Sequence, residues 1–240
     1  YHNRYELMVS LFDAIKNNEF HIVYQPQMSL ADSSVAGVEA LLRWDHSQIG
    51  PISPEIFIKI AEEIGLISEI TKWVIKNVIE QIKAWQNEGI SIKVAINISQ
   101  KDLRNNDIID YLKKSIEEND LSPAMIEIEL TERSTIKDEK LIAAFLNNLK
   151  EYGIKIALDD FGTGYNSMVD LIKVPVDYLK IDKIFIDNIT SDFEKTIVES
   201  VIDFAHKTGR EVIAEGVETK EQIEILKNIS CDYIQGYYFN

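Results

Sequence analysis

The second half of the chain alternates short apolar segments with amphipathic helical patterns, and this alternation limits the folds open to it. Strands are predicted at Ser91–Ser99, Met125–Thr131, Lys155–Asp160, Asp177–Asp182, Glu211–Glu215 and Cys231–Tyr237. Helical patterns separate them, near Ile108–Glu117, Asp138–Tyr152, Tyr165–Ile172, Phe193–Lys207 and Lys220–Lys227. Strands that alternate with helices through short connections form parallel sheets with right-handed crossovers.

The beginning of the chain follows a different pattern. Two strand candidates, His21–Leu30 and Val35–Trp44, are joined only by residues 31–34, which is too short for a crossover and predicts antiparallel neighbours. Helical patterns precede and follow them, at Arg4–Asn17, Pro54–Ile64 and Ser68–Asn87. Together these segments predict an α/β fold, a (β/α)8 barrel of the triosephosphate-isomerase type with the first strand antiparallel to the rest.

Length and composition fit one domain. The chain has 240 residues, 45% of them hydrophobic, which is enough to bury a full core. No Pro/Gly/Ser-rich linker or low-complexity tract divides it. We therefore expect residues 1–240 to form a single domain, in which residues 1–18 are an N-terminal helix that ends a linker from a longer protein. The first residue is Tyr1 rather than Met, which favours that interpretation.

The net charge of −15 limits the kinds of partner that the chain is expected to bind. A chain without a basic stripe is not expected to bind a nucleic-acid polymer or an anionic membrane, whereas a small phosphate ester could bind through divalent cations. No segment is long and apolar enough to cross a membrane. The single cysteine, Cys231, fits a reducing compartment and is expected to fill the core of a late strand. We expect a cytoplasmic location, alone or as the cytoplasmic part of a membrane-anchored protein.

The strand at Lys155–Asp160 ends in two adjacent carboxylates, Asp159 and Asp160, followed by the glycine-rich turn Gly162–Gly164. Neighbouring carboxylates repel each other unless a metal ion, a lysine or a raised pKa relieves the repulsion. A structural alternative is that one of them caps a following helix.

The phase of the strands indicates which side chains point into the barrel. Ile92, Val94, Ile96 and Ile98 alternate with smaller or polar residues, and this alternation predicts that Asn97 faces inward near the carboxyl end of its strand. The same phase gives an inward ring of Glu39, Arg43, Asn97, Glu129, Asp159, Lys180, Glu215 and Gln235. Active sites of such barrels lie at the carboxyl ends of the strands. Carboxylates that converge there without comparable positive charge predict a metal site, with magnesium or manganese favoured by the oxygen donors.

Several motifs in the chain resemble those of one known family. They are Glu39-Ala40-Leu41-Leu42-Arg43-Trp44, Asn97-Ile98-Ser99, Glu129-Leu130-Thr131-Glu132, Asp159-Asp160-Phe161-Gly162-Thr163-Gly164-Tyr165, Leu179-Lys180-Ile181-Asp182, Ala214-Glu215-Gly216-Val217-Glu218-Thr219 and Gln235-Gly236-Tyr237. In this order and at these intervals, the chain resembles the EAL family of cyclic-di-GMP phosphodiesterases.

The resemblance implies a role for each matching residue. One metal ion would be held by Glu39, Asn97, Glu129 and Asp159, and a second by the shared Asp159 together with Asp160. Lys180 would position the attacking water or contact phosphate, and Glu215 and Gln235 would orient water near the metals. Substrate contacts would come from Gln25, Leu42, Arg43 and Glu218. Glu132 would support the loop from Asp160 to Ser167 rather than bind metal.

The resemblance also implies the reaction and its partners. The expected activity is hydrolysis of one phosphodiester bond of cyclic-di-GMP to linear pGpG, which lowers the level of a bacterial second messenger. Two Mg²⁺ or Mn²⁺ ions about 3.5–4 Å apart would activate water and stabilise the attacking and leaving oxygens, while Ca²⁺ is expected to inhibit. A homodimer formed near the segment after Asp160 is expected, as is an N-terminal sensory or diguanylate-cyclase-like domain in a longer chain.

Two other functions remain open at this point. A catalytically silent receptor would bind cyclic-di-GMP without hydrolysing it, although every metal-binding and catalytic position that matches the family is intact. A lyase or aldolase could use Lys180 as a base or Schiff-base former. That chemistry requires a lysine with a depressed pKa, whereas the carboxylates expected around Lys180 would keep it charged.

Overall fold

The computed structural model describes residues 4–104, 106–131, 139–162 and 174–239. Within these ranges, no helix combines the length and the hydrophobicity that crossing a bilayer requires.

The described residues form helices and strands that follow the predicted alternation. The helices are α1 (Arg4–Ala14), α2 (Pro54–Ile64), α3 (Ile67–Asn87), α4 (Asn106–Glu118), α5 (Glu139–Tyr152), α6 (Lys183–Ile186), α7 (Asp192–Lys207) and α8 (Lys220–Asn228). The strands are β1 (Phe20–Ser29), β2 (Val35–His46), β3 (Gly50–Ile52), β4 (Lys93–Asn97), β5 (Ile126–Thr131), β6 (Lys155–Phe161), β7 (Tyr178–Ile181), β8 (Glu211–Ala214) and β9 (Tyr233–Gln235). Short 3-10 helices lie at Asp102–Arg104, Pro123–Met125 and Tyr237–Phe239.

The chain divides into two compact units. The first comprises Tyr1–Tyr24, Ala40–Ser91 and Ile98–Ser122. It holds helices α1 to α4 and the antiparallel pairing of β3 with the end of β2, in which Trp44 lies opposite Ile52. The second unit comprises Gln25–Glu39, Ile92–Asn97 and Pro123–Asn240, and it contains the candidate site.

An aromatic cluster forms the core of the first unit. Phe20 lies 5.8–6.0 Å from the rings of Trp44, Phe57 and Trp73, measured between ring centroids. The indole N–H of Trp44 donates to Glu19 at 2.9 Å, so the polar atom of a buried ring is satisfied. Elsewhere in this unit, the buried Asp102 accepts hydrogen bonds from Ser68 and Thr71 of α3.

The strands of the second unit follow the order expected of a closed barrel. Hydrogen-bonded neighbours run β1-β9-β8-β7-β6-β5-β4-β2, and β1 also pairs with β2. The pairs from β4 to β5, β5 to β6, β6 to β7, β7 to β8 and β8 to β9 are parallel. The first strand runs the other way, since β1 pairs antiparallel with β9. The predicted barrel with a reversed first strand is therefore confirmed.

Sequence patterns located these elements well but missed the shortest ones. Neither β3 nor the four-residue α6 was predicted, because three or four residues are too few to show a periodicity. The predicted helix at Tyr165–Ile172 lies outside the described residues. The division into single or multiple domains stays a prediction.

The outward faces of the parallel strands are uniformly apolar. Ile128, Leu158 and Leu179 are at most 1% exposed, as expected of strands covered by helices. Two of those helices begin at well-formed caps: Ser191 accepts a hydrogen bond from the Glu194 N–H, and Thr219 forms a reciprocal capping box with Gln222. Such caps fix where each helix starts, and thus how the loops leave the strand ends.

Candidate active site

Lys180 is the centre of the candidate site. Its side chain is fully buried on β7, and its Nζ lies 2.9 Å from Glu129, 3.2 Å from Glu39, 3.7 Å from Asp159 and 2.8 Å from Glu215. These four carboxylates come from four different strands or strand ends of the second unit. The inward phase predicted for them from the sequence is thus confirmed by their contacts with one ammonium group.

Hydrogen bonds orient the carboxylate of Glu39 from both sides. Asn97 donates to its Oε1 at 2.7 Å, and Gln235 donates to its Oε2 at 2.5 Å. The same Gln235 amide also donates to Gln25 Oε1 at 3.0 Å. On β4 and β5, Asn97 and Glu129 are direct neighbours in register. The side chains of Asn97, Glu39 and Glu129 therefore lie together at one end of the barrel.

Burial falls from the centre of this group toward its rim. Glu129 and Lys180 are fully buried, and Glu39 is 5% exposed. The side chains of Asp159 and Glu215 are 15% and 20% exposed, and Asn97 is exposed. A ligand would therefore approach from the side of Asn97, Asp159 and Glu215.

The end of β6 departs from regular strand geometry. The register with β7 shifts between Leu158 and Phe161, and Asp160 has a left-handed backbone with φ of +57°. Its N–H donates to Asp159 Oδ1 at 2.8 Å. Adjacent residues of a regular strand face opposite sides, so this bulge interrupts the alternation where the two carboxylates occur.

Gly162 follows at φ +94°, and a Cβ there would lie 2.8 Å from the ring of Phe185. A glycine is needed at this position both for its conformation and for the close approach of that ring.

Lys180 keeps its charge in this setting. Burial by itself lowers the pKa of Lys180, but Glu129, Glu215 and Glu39 outweigh it and hold the pKa well above its ordinary value. A charged ammonium is a poor Schiff-base nucleophile. The site therefore disfavours the lyase or aldolase alternative and favours a role for Lys180 in binding anions.

The pKa values of the carboxylates around Lys180 are shifted in different directions. Burial raises the pKa of Glu39, but Lys180 and hydrogen bonds from Gln235 and Asn97 reverse the effect and lower it to about 2. Burial and the neighbouring Glu39 raise the pKa of Glu129 well above its ordinary value, against the effect of Lys180. One ammonium compensates one carboxylate well and leaves the other with surplus negative charge.

The pKa values of two more exposed acids, Glu215 and Asp160, are also raised. Burial raises the pKa of Glu215 to about 8, with Asp159 and Glu39 adding to the shift against Lys180. Burial, Asp159 and Asp182 raise the pKa of Asp160 to about 6. Carboxylates that lie so close together that their pKa values rise are typical of sites that bind cations.

The donor set fits a hard divalent cation. Carboxylate and amide oxygens converge here without sulfur or imidazole, which is the chemistry that Mg²⁺ and Mn²⁺ prefer. Among the described residues, no group of three acidic, histidine or cysteine side chains is arranged around one point as metal ligands. Instead, the Nζ of Lys180 occupies the position between the four carboxylates. Binding of an ion would therefore require the carboxylates at the rim to turn away from Lys180.

The remaining predicted site residues lie in different places. Gln25 is in the second unit and contacts Gln235. Glu218 is exposed and forms an ion pair with Lys183. Leu42 and Arg43 belong to the first unit, where Arg43 donates to the Leu42 carbonyl at 3.0 Å. Glu132 lies outside the described residues, so its support of the loop stays a prediction.

Two inward residues were not singled out from the sequence. Gln27 is 2% exposed and donates to Glu129 at 3.4 Å and to Gln235 at 3.2 Å. Glu127 is fully buried and forms an ion pair with Lys93. Each lies two positions from a predicted site residue, Gln25 or Glu129, so strand alternation could have identified both.

Comparison with known proteins identifies the family. The family model described as the EAL domain matches residues 8–240. The chain belongs to the EAL domain family. Among its curated relatives, this EAL domain is 39% identical over 233 residues to the signaling protein YkoW of Bacillus subtilis. It is 34% identical over 234 residues to the cyclic di-GMP phosphodiesterase PdeR of Escherichia coli K12.

These relatives are much longer than the chain. The alignments cover 96% and 97% of this EAL domain but only 29% of YkoW and 35% of PdeR. A solved structure of a PaMucR phosphodiesterase in complex with c-di-GMP is similar over 98% of this chain and 96% of that one, with a TM-score of 0.93 and 32% identity.

Proposed function

We propose that this EAL domain hydrolyses one phosphodiester bond of cyclic-di-GMP to linear pGpG with two divalent cations, magnesium or manganese. The observation that carries the proposal is the group of four carboxylates around the charged, fully buried Lys180. Support comes from PdeR, a relative named as a cyclic di-GMP phosphodiesterase, and from the similar structure that holds c-di-GMP.

Metal dependence fits both the family and the donor set. Phosphodiesterases of the EAL family generally depend on metal ions. In this chain, Glu39, Asn97, Glu129 and Asp159 would hold one ion, and Asp159 and Asp160 the other. Bound divalent cations would supply activation of water and stabilisation of charge on the phosphoryl oxygens.

The protein side chains have separate tasks in this proposal. The ammonium of Lys180 offers positive charge to a phosphate or to an attacking water, since it stays protonated among its carboxylates. Gln235 and Asn97 hold both oxygens of Glu39 in place, which fixes the geometry before the substrate binds. Glu215, which lies 2.8 Å from the Lys180 ammonium, would orient water near the metals.

Substrate contacts extend the proposal beyond the central group. Gln25 is held next to the site by Gln235, which supports a role in binding the guanine base. Contacts from Leu42, Arg43 and Glu218 are proposed on the resemblance. The longer relatives support a longer chain for this protein as well, with a sensory or diguanylate-cyclase-like domain, and the expected homodimer is proposed on the same basis.

The test is a turnover assay on the purified chain. Cyclic-di-GMP is incubated with the protein and Mg²⁺ or Mn²⁺, and the products are separated by anion-exchange chromatography against pGpG and GMP standards. We expect pGpG to accumulate with either metal and not with a chelator. Calorimetric binding of cyclic-di-GMP without conversion would support the silent receptor instead. Conversion in the presence of chelator would contradict the metal-dependent mechanism.

A further inference from the structure

Gln27 lies inside the barrel next to the candidate site, and the proposed hydrolysis gives it no task. It belongs to β1 and is 2% exposed. Where β1 pairs antiparallel with β9, the Cα of Gln27 lies opposite the Cα of Gln235. Directly opposite residues of such a pair have their side chains on the same face of the sheet. Gln27 and Gln235 therefore both point into the barrel, where their side-chain amides meet.

The side-chain nitrogen of Gln27 connects two residues of the site. It donates to Gln235 Oε1 at 3.2 Å and, over a longer distance of 3.4 Å, to Glu129 Oε1. A primary amide has two hydrogens to donate, so one is available for each acceptor. The second oxygen of Glu129, Oε2, accepts from Lys180 at 2.9 Å. Gln27 thus links the Gln235 amide to a carboxylate that is a proposed metal ligand.

These contacts engage every polar group of the Gln235 amide. Its nitrogen donates to Glu39 Oε2 at 2.5 Å and to Gln25 Oε1 at 3.0 Å, and its oxygen accepts from Gln27. Gln235 is 3% exposed, so solvent has little access to a group that loses its partner. A buried amide oxygen without a donor is unfavourable, and the amide would rotate to find another. That rotation would also turn its N–H groups away from Glu39 and Gln25, because the nitrogen and the oxygen belong to one plane.

Gly37 of β2 provides the space in which Gln27 lies. A Cβ at residue 37 would lie 3.2 Å from Gln27 Oε1, 3.2 Å from the Lys93 carbonyl oxygen and 3.3 Å from Lys93 Cε, all shorter than ordinary van der Waals contact. With backbone on one side and two hydrogen-bond acceptors on the other, Gln27 has few alternative rotamers. Its amide is therefore rigid enough to hold a partner in place.

We propose that Gln27 is a positioning residue that fixes the orientation of the Gln235 amide toward Glu39 and Gln25. Gln27 touches neither the substrate nor the reacting atoms, and it acts on them through Gln235. The effect on turnover rests on the proposed function, in which Gln25 contacts guanine and Glu39 holds a metal ion. The effect on the Gln235 amide does not rest on it, because those hydrogen bonds join residues of the chain to one another.

Gln27→Met tests the proposal, because methionine keeps the length of the side chain and removes its donors. The Gln235 oxygen then loses its partner, the amide turns, and Gln25 is no longer held. We expect kcat/KM for cyclic-di-GMP to fall about tenfold, the effect of roughly one hydrogen bond, mostly as a higher KM. A glutamine that only filled space would lower the folded fraction, and so kcat, with KM unchanged. Gln86→Met, at an exposed position of α3, is the matched control.

Hydrogen exchange gives a readout that does not depend on activity. In ¹⁵N-labelled, metal-free protein, the side-chain amide of Gln235 is identified by the loss of its signal in Gln235→Met. We expect its hydrogens to exchange with solvent at least about tenfold more slowly than those of Gln86, and about fivefold faster in Gln27→Met than in the wild type. The double variant Gln27→Met/Gln235→Met should have a kcat/KM within about twofold of Gln235→Met alone, because Gln27 acts through Gln235.

A higher KM and faster exchange at Gln235 in Gln27→Met, with no further loss in the double variant, support the proposal. An unchanged KM, unchanged exchange at Gln235, or additive losses in the double variant overturn it, as does a wild type in which Gln235 exchanges as fast as Gln86. Where Gln27→Met does not fold, Gln27→Asn takes its place, since its amide is one methylene too short to reach Gln235. Where the wild type does not hydrolyse cyclic-di-GMP, the proposed function fails, and the exchange rates still test this inference.

Discussion

At the scale of single residues, the site is defined by how many carboxylates share one ammonium. Lys180 contacts four of them. Burial raises the pKa of both Glu39 and Glu129; Lys180 and hydrogen bonds reverse that shift at Glu39, whereas at Glu129 the neighbouring Glu39 adds to it and Lys180 does not reverse it. Buried ion pairs contribute little net stability when desolvation is counted. An arrangement with surplus negative charge is therefore better explained by cation binding than by folding stability.

Asp159→Asn tests the residue proposed to be shared by both ions. The amide keeps the Oδ1 acceptor for the Asp160 N–H, so the fold should persist, but it loses the charge that two cations would share. We expect turnover with Mg²⁺ to fall by at least about a hundredfold, measured under saturating substrate. Asp203→Asn, on the exposed face of α7, is the matched control. Near wild-type turnover in Asp159→Asn would show that another residue bridges the ions.

The raised pKa of Glu215 predicts how the metal-free protein responds to pH. Its pKa rises from an ordinary 4.5 to about 8 on folding, so the folded state binds this proton more tightly than the unfolded state. The stability from this proton is fully present below the ordinary pKa and is lost as pH rises through about 8.

In a chelator, we expect the free energy of unfolding in urea to fall on the order of 1 kcal/mol or more between about pH 5 and pH 8.5 owing to Glu215. Glu215→Gln should flatten that part of the slope, whereas the exposed Glu221→Gln should not. An identical slope in Glu215→Gln and wild type would mean that Glu215 does not carry the raised pKa.

At the scale of elements, the segments that follow β8 and β9 are held together by backbone hydrogen bonds and close backbone contacts. The segment after β8 donates from Val217 N–H to the Gln235 carbonyl, and Tyr238 N–H donates to the Val217 carbonyl. A Cβ on Gly236 would lie 2.1 Å from the Val217 oxygen and 2.3 Å from its nitrogen. Only glycine fits between these segments, which also carry Glu215 and Gln235.

Gly236→Ala should therefore damage stability and activity together. Because backbone atoms cannot move aside as a flexible side chain does, we expect a loss of about 3 kcal/mol in the free energy of unfolding. Turnover should fall in the fraction that stays folded, since Glu215 and Gln235 would be displaced. Gly89→Ala is the control, as it has a positive φ but open space around its Cβ position. A loss of stability in Gly236→Ala no larger than that in Gly89→Ala would contradict the importance of this contact.

At the scale of the whole molecule, acidity and cation binding are linked. The chain has a net charge of −15, and the candidate site concentrates part of it. A ligand that binds only the folded state stabilises it by mass action. Divalent cations should thus raise the melting temperature, whereas sodium chloride at equal ionic strength should have a smaller effect through screening alone.

Magnesium, manganese and calcium should separate binding from turnover. At a hundredfold excess over the dissociation constant, each bound ion should add about 2.7 kcal/mol to the free energy of unfolding, read as a shift in melting temperature by calorimetry. Calcium should stabilise the fold yet support little hydrolysis, because it tolerates irregular coordination and activates water poorly. Full turnover with calcium would contradict the proposed mechanism, as would stabilisation by sodium chloride equal to that by magnesium.

The strand and helix periodicities of the sequence predicted the barrel, the reversed first strand and the inward face of the strands that carry the candidate site. Alternation is a local property, so it placed Glu39, Glu129 and Lys180 inside the barrel without knowledge of their contacts. The family motifs then gave these residues expected roles. Short elements such as β3 and α6 could not be predicted, since they are shorter than one detectable period.

Only the tertiary structure decided which charges meet. That Lys180 lies between four carboxylates, and that Lys93 pairs with Glu127, depends on strand register and on the space left by Gly37. The left-handed Asp160 likewise arises where β6 slips against β7. A sequence lists which groups are charged, but the energy of each charge depends on distance and burial, and those are properties of the folded chain.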